Sequence, residues 1–116
     1  MEINHLTGKR KRGYYRDDFD ENQRVEYFAT HYKNYHPAYY DQLYREGIER
    51  ANKIEGIESA DVAIKRIFAK GFAKGYIDSN IRILSRIVSQ GYMAVDEAAK
   101  EADMSPEEFA LAKEYY

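Results

Sequence analysis

The chain has 116 residues, a formal net charge of −2 and no cysteine. That length fits one domain with a modest core, which buries roughly 65% of the surface of the unfolded chain, and the missing thiol excludes disulfides, zinc–thiolate sites, iron–sulfur clusters and cysteine nucleophiles. Apolar runs are only a few residues long, and no apolar stretch backs the basic residues near the N-terminus, so the expectation is a cytoplasmic protein with neither a membrane span nor a secretory signal.

The charge is unevenly placed. In "GKRKRGYYRDDFDEN" (residues 8–22), Lys9, Arg10, Lys11, Arg12 and Arg16 supply five positive charges, while residues 17–116 hold 13 basic and 19 acidic side chains, a balance of −6. Residues 1–16 lack periodicity and read as a flexible basic arm, and residues 17–116 read as a single helical domain. Lys9, Arg10, Lys11, Arg12 and Arg16 would release counterions on meeting phosphates, and Tyr14 and Tyr15 would stack on exposed bases. These seven residues are candidates for contact with nucleic acid or with an acidic protein surface. A solubilising tail is the third reading, since the acidic "DDFDE" that follows competes for the same cations.

Asp18 or Asp20 is placed to cap a first helix, in which Val25, Phe28, Ala29 and Tyr32 follow the i, i+3, i+4, i+7 rule. It should stop near Tyr35, because Pro37 disfavours helical geometry in the residue before it and suits the first turn of a second helix. That helix has the stripe Tyr40, Leu43, Tyr44, Ile48 and Ala51. Gly47 within it counts as a weakness of about 1 kcal/mol against alanine, and Gly56 is its terminator. A third segment opens at Ser59, with Ala60, Ile64, Ile67, Phe68, Phe72, Ile77, Ile81, Leu84 and Val88 as its apolar stripe and Gly91 as its end. Gly71 and Gly75, in the near-repeat "AKGF" and "AKGY", either admit another backbone closely or break the segment into two helices, with a bend the favoured reading. "AVDEAAKEAD" reads as a short helix and "MS" as a turn, and Ser105, Pro106 and Glu108 form a capping box with a proline start for the final helix. No segment alternates as a strand does. The fold class is therefore all-α, a small helical bundle with a C-terminal hairpin of helix-turn-helix outline.

The stretch "AKGFAKGYIDSNIRILSRIVSQGYMAVDEAAKEADMSPEEFALA" resembles the helical tail of the Rpn family, the recombination-promoting nucleases also called PD-(D/E)XK transposases, over about residues 70–112. Ile83, Leu84, Gly91, Val95, Ala98, Ala99, Met104, Ser105 and Phe109 match the outline of those tails. The metal-binding catalytic core of that family has no counterpart in this sequence. The resemblance implies a tail without its enzyme, able to bind a full-length relative or to form homo-oligomers.

The remaining candidates concern recognition. "YKNYHPAYYDQLYREG" groups tyrosines around a helix start, and residues 39, 40, 43 and 44 spread over more than half the helix circumference, so Tyr32, Tyr35, Tyr39, Tyr40 and Tyr44 form a candidate protein-binding surface. His31 and His36 are five apart across the Pro37 boundary, a poor spacing for a metal pair, and are expected at the surface or a boundary. No metal, cofactor or catalytic constellation is expected, and the chain reads as no enzyme. The C-terminal hairpin places Asp103, Glu107 and Glu108 where a recognition helix would meet phosphates, and no cation follows until Lys113. The leading expectation is a small non-catalytic interaction protein, a regulator or inhibitor of the kind that mobile elements carry. Its partner would be a nucleic-acid-handling protein, whose cationic groove accepts the acidic body as a phosphate mimic. A DNA-binding regulator using the arm and hairpin is the second reading, and a homo-oligomeric tail module the third.

Overall fold

The computed structural model describes residues 19–116, and the basic arm candidates Lys9, Arg10, Lys11, Arg12, Tyr14, Tyr15 and Arg16 lie outside them. The described residues are all-helical, with five α-helices and no strand. None of these helices is long and apolar enough to cross a membrane. The described residues group into two units, one being Val25–Ile77 and the other residues 19–24 with Asp78–Tyr116.

Helix α1 spans Glu21–Tyr35. Asp20, one of the two predicted caps, accepts from the Gln23 amide at 2.8 Å, and the Gln23 side chain accepts from the Asp20 amide at 3.0 Å, so two otherwise orphaned donors are satisfied reciprocally. Phe28, Ala29 and Tyr32 are buried along the predicted stripe. Helix α2, Pro37–Ala51, begins immediately after the single non-helical residue His36, as the proline requires.

Helix α2 buries Tyr40, Leu43, Gly47 and Ala51. Gly47 is no weak point. A Cβ built there would lie 2.8 Å from the Ala69 Cα, so the backbones of α2 and α3 approach too closely for any side chain at this position. The helical propensity lost at Gly47 is the condition for that crossing.

Helix α3 runs as one element from Val62 to Ser89. It starts three residues later than the sequence reading, because Asp61, not Ser59, accepts from the Ile64 amide at 3.2 Å. Gly71 and Gly75 do not break it: both face open space, and helical hydrogen bonding continues through them. Its end is as predicted. Gly91 adopts φ +82°, its amide donates to Val88 O at 3.0 Å and the Tyr92 amide to Ile87 O at 3.1 Å, a Schellman closure.

Helices α4 (Val95–Glu101) and α5 (Pro106–Ala112) form the expected C-terminal hairpin. The turn repeats the same closure with Asp103 at φ 62°: its amide donates to Lys100 O and that of Met104 to Ala99 O. Ser105 and Glu108 form the predicted capping box, Ser105 Oγ accepting from the Glu108 amide at 3.1 Å and Glu108 Oε1 from the Ser105 amide at 3.2 Å. Ala98, Ala99, Ala102, Met104, Phe109, Ala112 and Tyr115 are buried, so an alanine-lined hairpin closes over one phenyl ring. A single 3-10 turn, Lys113–Tyr115, follows.

Candidate interaction surfaces

The five tyrosines predicted as a contact surface separate. Tyr32 and Tyr40 are buried, Tyr39 and Tyr44 are half-buried, and only Tyr35 is largely exposed. The reason lies at the break between α1 and α2. Ending α1 at Tyr35 and restarting at Pro37 folds these rings onto one another, with Tyr32 5.5 Å from Tyr39 and 5.0 Å from His36 between centroids. His31, expected at the surface or a boundary, is buried, with its ring 5.0 Å from that of Tyr35 and 5.6 Å from that of His36. The helix break brings the two imidazoles closer than a five-residue spacing suggests. Burial also pushes the Tyr40 phenol up from its ordinary value, outweighing the opposing pull of Lys74. Much of the cluster is thus aromatic packing at a helical corner.

The exposed apolar surface lies elsewhere, on the first half of α3. The predicted stripe placed Ile64 and Ile67 inward, but Ile64 is 49% and Ile67 70% exposed, while Ala69 and Ala73 are fully buried. The close crossing at Gly47 explains the reversal. It admits only small residues of α3 on its inner side, and α3 is rotated until its alanines meet α2. The larger side chains then turn outward. Ile64, Ile67, Gly71 and Gly75 follow helical spacing along the outer face, with Phe68 half-buried beside them.

This half of the helix is also cationic. Residues 62–77 hold Lys65, Arg66, Lys70 and Lys74 and no carboxylate. Lys74 pairs with Glu26 of α1, and Lys65, Arg66 and Lys70 form no ion pair among the described residues. The sequence reading located positive charge only in the arm. The excess on α3 was legible by counting charges per helix, since the whole of α3 carries six cations and one acid, Asp78.

Asp78 organises the other unit. It is 2% exposed and accepts from Arg24 Nε at 3.0 Å, from Arg82 Nη2 at 2.6 Å and from the Tyr116 hydroxyl at 2.9 Å. The Arg24 guanidinium also lies 4.5 Å over the Tyr116 ring. Burial pushes the Asp78 carboxyl up, but the hydrogen bonds from Arg24, Tyr116 and Arg82 outweigh it and hold the group below the ordinary carboxylate range. Burial first, then the neighbouring Asp78 charge, drives the Tyr116 phenol far above its usual value. The hydrogen bond to Asp78 likewise raises Arg24. The carboxylate is a poor base and the phenol a poor acid near neutral pH, so the cluster acts as a clamp and not as an acid–base pair. It fixes Arg82 and Tyr116 at the rim of a depression of about 250 Å³, which Ser85, Arg86, Ser89 and Lys113 also line.

The hairpin presents the opposite charge. Asp96, Glu97 and Glu101 outnumber Lys100 in the lining of a shallow depression beside α4, and Glu107 is exposed at the start of α5. A recognition helix approaching phosphates through this surface would meet like charge. The chain matches no protein-family model, and no curated protein or solved structure is found to be similar to it.

Proposed function

We propose that the chain is a non-catalytic interaction protein that docks an acidic protein surface onto the outer face of the first half of α3. The observation that carries this reading is the outward placement of Ile64 and Ile67 while Ala69 and Ala73 fill the interior. Large β-branched side chains left in water on a regular helix, beside glycines that add no bulk, offer an apolar ridge that another element can cover. The unopposed charges of Lys65, Arg66 and Lys70 on the same half of the helix select a partner bearing carboxylates. Nucleic acid fits the cations but not the isoleucines, and a nucleic-acid-handling protein fits where it presents an acidic patch away from its own cationic groove.

A photo-crosslinking residue placed at position 67, with a second version placed at exposed Gln90, tests the reading in lysate with and without nuclease treatment. Position 67 should give one protein adduct that position 90 lacks, and Arg66→Glu with Lys70→Glu should abolish it. Identical adducts from both positions, an adduct unaffected by charge reversal, an adduct to a second copy of the chain, or loss of the adduct on nuclease treatment would each overturn it.

A further inference from the structure

We propose that the depression formed by the second half of α3 and the Lys113–Tyr116 turn is a binding site for a phosphate-type oxyanion. Arg82, Ser85, Arg86 and Ser89 fall at i, i+3, i+4 and i+7, so one helix face delivers two guanidinium groups and two hydroxyls to the same place. Lys113 supplies a third cation from the opposite wall, and no Asp or Glu side chain lines the depression. Its volume, about 250 Å³, is several times the roughly 30 Å³ share of a water molecule in the liquid.

Two details point to a ligand and not merely to a solvated basic patch. Ser85 is only 6% exposed, and its Oγ has no hydrogen-bond partner, an arrangement that native interiors normally avoid. Rotation of that hydroxyl toward the depression would let an oxyanion accept its proton. Arg82 is held by Asp78 through Nη2, which fixes its plane and leaves other N–H groups of the fork free to donate. The two remaining cations, Arg86 and Lys113, form no ion pair among the described residues, so their charge is available to the incoming anion. A free phosphate or phosphate monoester and the phosphodiester of a nucleic-acid strand share this chemistry. This site is independent of the α3 ridge proposed to dock a protein, since none of its residues lies between 62 and 77.

The test is titration of the full chain with inorganic phosphate at constant ionic strength, followed by amide resonances, with a short single-stranded oligonucleotide as a second arm. Phosphate should shift resonances at residues 82–89 and 113–116. Arg86→Gln with Lys113→Gln should weaken binding by about tenfold or more. Ser85→Ala should weaken it as well without lowering the melting temperature, and Lys70→Gln should leave it unchanged. Saturation by phosphate alone identifies a small ligand, and saturation only by the oligonucleotide, at the same resonances, identifies a strand backbone; either supports the site. Absence of any shift in both arms, shifts spread over every exposed cation, or binding indifferent to the Arg86 and Lys113 substitutions would overturn it.

Discussion

The two halves of α3 solve the same problem in opposite ways. Residues 78–89 bury their single carboxylate, surround it with three donors and keep a large apolar stripe of Ile81 and Leu84 inward. Residues 62–75 have no carboxylate, place Ala69 and Ala73 inward and leave Ile64 and Ile67 outside. One helical period therefore serves two packing regimes. Where a polar hub fixes the helix, bulky residues fill the interior. Where a glycine admits a close crossing, only methyl groups fit, and the bulk is displaced to the surface.

Asp78→Asn should give the largest effect. It leaves Arg24 and Arg82 without their anion and removes the charge that Tyr116 addresses, and a loss of about 3 kcal/mol in chemical denaturation is expected. The pH dependence sharpens the same point. The Asp78 carboxyl is lower in the folded than in the unfolded chain, so its contribution is present above the unfolded value, about 3.9, and is lost as pH falls through the lower folded value. Wild type should lose stability on acidification in that window, and the asparagine variant should lose less. Equal acid sensitivity in the two proteins would show that the hub is no linkage point.

The close crossing is tested by Gly47→Ala. Alanine gains about 1 kcal/mol of intrinsic helix propensity, but its Cβ meets the Ala69 backbone, and forcing the helices apart should cost about 1–3 kcal/mol, for a net fall in melting temperature. A rise in melting temperature would mean that the helices accommodate the methyl group, and the explanation for the outward isoleucines would fail with it. Ile67→Ser should do least, within about 0.5 kcal/mol, because the side chain is mostly in water already. The contrast between that near-silence in denaturation and loss of the photo-adduct separates a docking residue from a packing one.

Local chemistry was the most legible part of the sequence. Caps and terminators depend on a few adjacent residues, and Asp20, Pro37, Gly91 and the Ser105–Glu108 box do what their types predict. The all-α class followed from them and from the absence of strand alternation. What was not legible depended on partners distant in sequence. Ile64 and Ile67 fit an inward stripe as well as an outward one, and only the meeting of Gly47 with Ala69 decides between the two. The tyrosines near residue 35 carried a signal of aromatic density but none of direction, which the α1–α2 break supplies. Asp78 was passed over because a single acid among helix cations looks solvated until Arg24, 54 residues away, is seen to reach it.

The open backbone at Gly71 and Gly75 separates two ways of improving this molecule. Beyond the helix's own adjoining backbone, nothing lies within 4 Å of the methyl group that alanine would add at either position. Directed evolution for heat resistance alone should therefore fill both sites early, since the isolated chain has no use for the vacancy. A selection that instead scores complex formation should keep them bare, and the fate of two hydrogen atoms would report which task the helix was shaped for.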